Sequence, residues 1–137
     1  TINIGLKDGV PIESKGVINF KGDLIGRTFY INDNNTQVHK ITDKNFNVYV
    51  TTNRGIKGQF SYINGNNGMM ESVSKKHERE IELGDTIYTS NSSTVFAPNI
   101  PVAKIISIKN KAQKHELDIK VKILADINNI NNVFIVK

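Results

Sequence analysis

The sequence predicts an all-β protein in two coupled halves, each a small barrel or sandwich. Three observations lead there. The first is an echo: "GDLIGRTFYIND" at 22–33 and "PNIPVAKIISIKN" at 98–110 follow one pattern, with Leu24-Ile25-Gly26-Arg27 matching Pro101-Val102-Ala103-Lys104. In both stretches a small residue and a base lead into an apolar run that ends at Ile31 or Ile108. The second is a period-two alternation of apolar and polar residues, which puts one side of a strand in a core and the other in water. The third is the regular recurrence of short turn clusters, the spacing expected of barrels and sandwiches.

Taken in order, the chain opens at Thr1-Ile2-Asn3 inside an alternation and without an initiator Met, and is read as a segment of a longer protein. Turn clusters follow at Lys21-Gly22-Asp23, Asn32-Asp33-Asn34-Asn35, Asn64-Gly65-Asn66-Asn67-Gly68 and Asn91-Ser92-Ser93, where Asn, Asp and Gly favour tight backbone geometry. Between them, "NFNVYVTT" sets Phe46, Val48 and Val50 against Asn47, Tyr49 and Thr51, and Phe60 and Tyr62 share one side of "QFSYI". In "HELDIKVKIL", Leu117, Ile119, Val121 and Ile123 alternate with charged residues, the clearest strand of the chain. A last strand is expected over Val133 to Val136. The window Ser74 to Leu83 carries charge but no apolar stripe at helical spacing, so it is read as an exposed loop. The two halves are divided at 54/55, with the C-terminal strand free to return to the first.

At 137 residues, one core can form, whereas two separate halves would each be marginal. Hydrophobic residues at 38% and charged residues at 23% suit a globular domain. The net charge of +5 raises the question of a polyanion partner. Its distribution argues against nucleic acid: lysines come one at a time, and the dense run Lys75-Lys76-His77-Glu78-Arg79-Glu80 is half cancelled by its own glutamates. Arginine, the residue shaped for bidentate phosphate contacts, occurs only at Arg27, Arg54 and Arg79. With no cysteine there is no disulfide, thiolate metal site or thiol nucleophile. No run approaches the roughly 20 apolar residues of a membrane helix, and no signal peptide is visible.

No residue pattern in the sequence points to catalysis or to a metal. His39, His77 and His115 are each separated by 38 residues with no H-x-x-x-H pairing, so they read as surface histidines rather than metal ligands. Asp23, Asp43, Asp85 and Asp126 sit in turn-like stretches, where aspartate bonds its own backbone. Serines such as those of Asn91-Ser92-Ser93-Thr94 lack a glycine to supply an oxyanion loop, and Gly65 and Gly68 fit a hairpin tip better than a phosphate cradle. The chain is read as a non-enzyme with no cofactor and no metal.

The order of "TINIGLKDGV", "KGDLIGRTFYI", "ITDKNFNVYV" and "ELGDTIYTSNSSTVFAPNIPVAKIISI" resembles the periplasmic β-domain of the rod shape-determining MreC family. The resemblance covers nearly the whole chain. Gly5, Asp8, Gly9, Leu24 to Arg27 with Gly26, Thr42-Asp43, Gly84, Asp85 and Thr89-Ser90 stand at family motif positions. Asn91, Asn99 and Ala103 stand where the family has glycine; asparagine tolerates positive φ, so the turns stay feasible, and Ala103 needs room for one methyl.

The resemblance implies two small packed β-barrels, laid out like a trypsin-like protease without its catalytic residues, with the echoed phrase as the equivalent strand of each. It also implies a non-catalytic periplasmic scaffold of the cell-elongation machinery, in a protein anchored to the bacterial inner membrane outside this segment. The implied partners are the peptidoglycan transpeptidase PBP2 and further copies of the protein, with MreD and MreB contacted through other segments. From the residues, a partner surface is expected to draw on aromatics, with Tyr30, Phe46, Tyr49, Phe60 and Tyr62 as candidates. Two other readings stand beside it: a basic β-barrel that binds nucleic acid or another polyanion, and a degenerate trypsin-like hydrolase.

Overall fold

The described residues form ten strands: β1 (Gly16–Asn19), β2 (Leu24–Ile31), β3 (Thr36–Lys40), β4 (Asn47–Thr52), β5 (Lys57–Asn64), β6 (Asn67–Glu71), β7 (Thr86–Thr89), β8 (Pro101–Lys109), β9 (Asp118–Ile123) and β10 (Val133–Val136). The structure is a computed structural model and describes residues 1–92, 95–130 and 132–136. Ser93, Thr94, Asn131 and Lys137, which include part of the serine cluster and of the C-terminal asparagine run, lie outside the described residues. The window at 74–83 forms a 3-10 turn at Lys75–Glu80 with no buried residue, entered through Ser74, whose hydroxyl accepts from the Lys76 amide.

Six strands close a barrel in the order β4-β5-β6-β9-β8-β7, and a second, four-stranded sheet runs β10-β1-β2-β3. All pairs are antiparallel. The all-β reading is therefore correct, but the division at 54/55 falls in the wrong place. β4 pairs with both β5 and β7 and belongs to the barrel, so the sheets change over in the Ile41–Phe46 connection. Alternation marked β4 as a strand but carries no information on which sheet it joins. The last strand pairs with β1, Val17 opposite Ile135 and Asn19 opposite Val133. At the other edge, the N-terminal segment pairs with β3 through mutual backbone bonds between Ile2 and Thr36 of 2.7 and 2.9 Å.

The echoed phrases occupy matching strands. In β2, Gly26 pairs with Val17 and Leu24 with Ile18, leaving Ile25 as an extra residue; in β8, Ala103 pairs with Ile87 and Pro101 with Tyr88, leaving Val102 extra. On the opposite side Thr28 pairs with Val38 and Tyr30 with Gln37, skipping Phe29; Ile105 pairs with Val121 and Ser107 with Lys120, skipping Ile106. Backbone bonds outside the ladders match too: the Thr28 amide donates to Lys15 O at 2.9 Å as Ile105 does to Asp85 O at 2.8 Å. The units β1-β2-β3 and β7-β8-β9 are thus one pattern with one pair of bulges. Each bulge bends and twists its strand, which lets a short sheet coil around its own core.

One hydrophobic cluster spans both sheets, from Val17, Leu24 and Ile25 through Phe46, Phe60 and Met70 to Ile119 and Val121. The segment between β7 and β8 ties the sheets together. Phe96 meets Phe46 edge-on with ring centroids 5.9 Å apart, and a Cβ placed on Gly16 of β1 would lie 3.2 Å from the Phe96 ring. The buried Thr89 hydroxyl holds this segment, donating to Ala97 O at 2.7 Å and accepting from the Ile100 amide at 2.9 Å.

Candidate functional site

The motif glycines and aspartates build turns. The Gly5 amide donates to Asp8 Oδ2 at 2.9 Å, Gly9 takes φ 88°, and the Leu6 amide donates to Asn32 O at 2.7 Å, so this turn docks on the β2–β3 hairpin. A Cβ on Gly26 would lie 2.0 Å from His39 O, so only glycine lets β2 and β3 approach here. Asp43 Oδ1 accepts from the Asn45 amide at 2.9 Å in the β3–β4 connection. Gly84 has φ 91° and donates to Ile105 O at 2.8 Å, while Asp85 Oδ2 accepts from the Glu82 amide at 2.9 Å. Asn99 takes φ 67°, the glycine-like angle, whereas Asn91 does not; Ala103 is buried between Ile87 and Ile123 in ordinary strand geometry. Ser72 takes φ 67° as well, which no sequence signal indicated.

The aromatic candidates divide. Phe46 and Phe60 are fully buried, so they are core residues and leave the partner surface. Tyr62 is half-buried against the core and its hydroxyl donates to Gly65 O at 3.0 Å, which ties it to the β5–β6 turn. Tyr30 and Tyr49 are 55% and 56% exposed, but they stand on different sheets, β2 and β4. Beside Tyr30, Phe29 stacks on His39 with centroids 3.8 Å apart and planes 14° from parallel. The bulge turns Phe29 and Tyr30 outward together. Phe29, Tyr30, Gln37 and His39 thereby form a continuous outer patch on β2–β3. Phe20, beside the turn that follows β1, and Phe134, within β10 opposite Ile18, are also exposed.

Outside this patch, the barrel end carries a polar recess lined by Thr51, Asn53, Lys57, Tyr88, Asn91 and Asn99. Neither carboxylate nor histidine is among its described lining residues. His77 pairs with Glu80 at 3.1 Å on the surface. Among the described residues no group of three or more metal-binding side chains converges, and no helix is long and apolar enough to cross a membrane.

The family model described as "Rod shape-determining protein MreC, barrel core" matches residues 1–137. The "Cell shape-determining protein MreC" of Bacillus subtilis (strain 168) is 29% identical over 146 residues, covering 99% of this chain and 50% of that protein, so the chain spans half of that relative's length. The crystal structure of MreC from Pseudomonas aeruginosa superposes with a TM-score of 0.86 at 20% identity, covering 98% of this chain and 86% of that one. A complex between penicillin-binding protein (PBP2) and MreC from Helicobacter pylori matches with a TM-score of 0.73 at 15% identity, over 92% of this chain and 78% of that one. With a closed barrel and a second sheet matching along the whole sequence, this chain belongs to the rod shape-determining MreC family as its barrel core.

Proposed function

We propose that this chain is a non-catalytic, periplasmic scaffold module of the cell-elongation machinery that binds and positions the transpeptidase PBP2 and associates with further copies of itself. The observation that carries this reading is the likeness in fold to the MreC of the Helicobacter pylori complex with PBP2. The motif residues support a scaffold, since the positions named above spend their polar groups on turns. A scaffold of this kind acts by selective binding: it shifts its partner toward the state it binds better, by no more than the difference in affinity. The exposed aromatics Tyr30, next to the Phe29–His39 stack, and Tyr49 are assigned to contact, because aromatic side chains supply large contact area at interface centres.

Calorimetry with the periplasmic region of PBP2 from the same organism, at two salt concentrations, tests the reading. Expected is saturable binding with a negative heat-capacity change, as for burial of apolar surface. Replacing Tyr30 and Tyr49 by alanine should weaken it about tenfold or more and leave the melting temperature within a few degrees. Absence of binding by the folded chain overturns the assignment of PBP2 contact to the barrel core. Unchanged affinity in the double variant moves the contact off these tyrosines.

A further inference from the structure

We propose that the outer face of β8 and β9 is a docking surface for an acidic protein segment, held by Lys104, Lys120 and Lys122 with Ile106 and Met69 as apolar contacts. This rests on the barrel face alone and not on the PBP2 reading.

In β9, Ile119, Val121 and Ile123 turn into the core, so Lys120 and Lys122 stand outward and exposed. The register sets Lys104 of β8 directly opposite Lys122, and Met69 of β6 opposite Lys120. The row through Lys104 and Lys122 continues to Thr86 and Asn67; the row through Lys120 continues to Ser107 and Met69. Neither row contains an acid. Two carboxylates border these rows and are already bonded: Asp118, on the same face of β9 as Lys120, accepts from Lys111 at 2.9 Å, and Glu71 accepts from the hydroxyl of Ser61, the residue opposite Met69. Like charges directly opposite on an antiparallel pair destabilise it, so the fold gains nothing from Lys104 facing Lys122. An anionic partner turns that cost into attraction.

The matching place on the other sheet is built differently. There Arg27 lies opposite His39, and Phe29 covers His39 by stacking. On the barrel, Ile106 stands at the place of Phe29 and is 45% exposed, and Lys104 and Lys122 are both exposed. Lys120 and Lys122, two residues apart on one strand face, stand roughly 7 Å apart, the repeat of alternate side chains in any extended chain. Acidic residues at alternate positions of a docked segment fit that spacing. Exposed Ile106 beside the charges favours a partner with apolar groups of its own over a nucleic acid, and lysine, unlike arginine, offers no bidentate fork to phosphate.

The test uses fluorescence anisotropy at physiological salt with a fluorescein-labelled synthetic peptide that alternates Glu and Val. The expected result is saturable binding that Lys122→Glu weakens by about tenfold. The same variant places a carboxylate opposite Lys104, so its melting temperature should hold or rise, which separates lost binding from lost folding. Lys44→Glu, an equal charge change on an exposed loop, should alter binding by less than about twofold at that ionic strength. Equal weakening by both variants would mean that net charge alone draws the peptide, and it overturns the proposal. No saturable binding overturns it too. So does adsorption to phosphatidylglycerol vesicles that Lys122→Glu abolishes while peptide binding is untouched, an outcome that would make this a membrane face.

Discussion

Phe29 and Ile106 occupy the same point of two equivalent strands: each is the residue skipped by the neighbouring strand, and they are 44% and 45% exposed. Four positions earlier, Ile25 and Val102 are likewise skipped on the opposite side. A strand bulged once on each edge is bent twice, which brings small sheets toward closure. The repeated phrase in the sequence is the recurrence of this bent strand. Its small residue, Gly26 or Ala103, sits between the two bulges on the buried side.

The two small residues differ in how tightly they are held, and this gives a first prediction. Replacing Gly26 by alanine pushes a methyl into the His39 carbonyl, where the ideal position is 2.0 Å away, so β2 and β3 must separate. A loss of about 2 to 4 kcal/mol is expected from forced strand separation in a packed site. Ala103→Gly removes a methyl that the barrel accommodates and should cost about 1 kcal/mol. Urea unfolding of both variants measures the pair; a Gly26→Ala variant as stable as Ala103→Gly would show that the β2–β3 approach relaxes freely.

How much of this was legible in the sequence follows from what alternation encodes. Leu117, Ile119, Val121 and Ile123 announced β9 because every second residue goes into one core. The same pattern placed Phe60 and Tyr62 on a shared side, correctly, but parity does not say whether that side is interior. Tyr30 broke the alternation because a bulge at Phe29 sends both residues outward. The lysines looked scattered because Lys104 and Lys122 meet only through strand register, which pairs residues far apart in the chain. Nor does local sequence decide that β4 closes against β7.

Burial separates the aromatics by stability as well as by location. Phe60→Ala should destabilise the protein by about 3 to 5 kcal/mol, since it empties a fully buried site facing Met70. Tyr49→Ala, exposed on the neighbouring strand, should cost under about 1 kcal/mol. Thermal unfolding distinguishes them at once, and comparable losses would contradict the assignment of Tyr49 to solvent.

Contact between the sheets can be tested at Gly16. Its α-carbon faces the Phe96 ring and the Ile100 side chain, at 3.2 and 3.7 Å from an added Cβ. Gly16→Leu must push β1 away from the barrel and should cost about 1 to 3 kcal/mol or more by overpacking. Hydrogen exchange reports where the strain goes: amides of β1, β2 and β10 should exchange faster while those of β5 and β6 stay protected. Uniform loss of protection would mean that the two sheets open only together.

The last prediction concerns acid. The Lys111 ammonium donates to Asp118 at 2.9 Å, and this bond, aided by the positive charge of Lys111, Lys114 and Lys109, holds the Asp118 carboxyl below its usual range against the opposing effect of desolvation. A carboxyl with a depressed pKa in the folded state stabilises that state wherever it is ionised. The contribution is therefore complete above the unfolded value of about 3.9 and is lost as pH falls through the lower folded value. Lys111 is half exposed, so the pair is worth no more than about 1 kcal/mol near neutral pH. Urea unfolding of the parent and Lys111→Met should differ by that amount at pH 7, and the gap should close as pH falls through the lowered folded-state value and Asp118 takes up its proton. A gap that persists unchanged in acid would assign the effect of Lys111 to packing of its stem rather than to its charge.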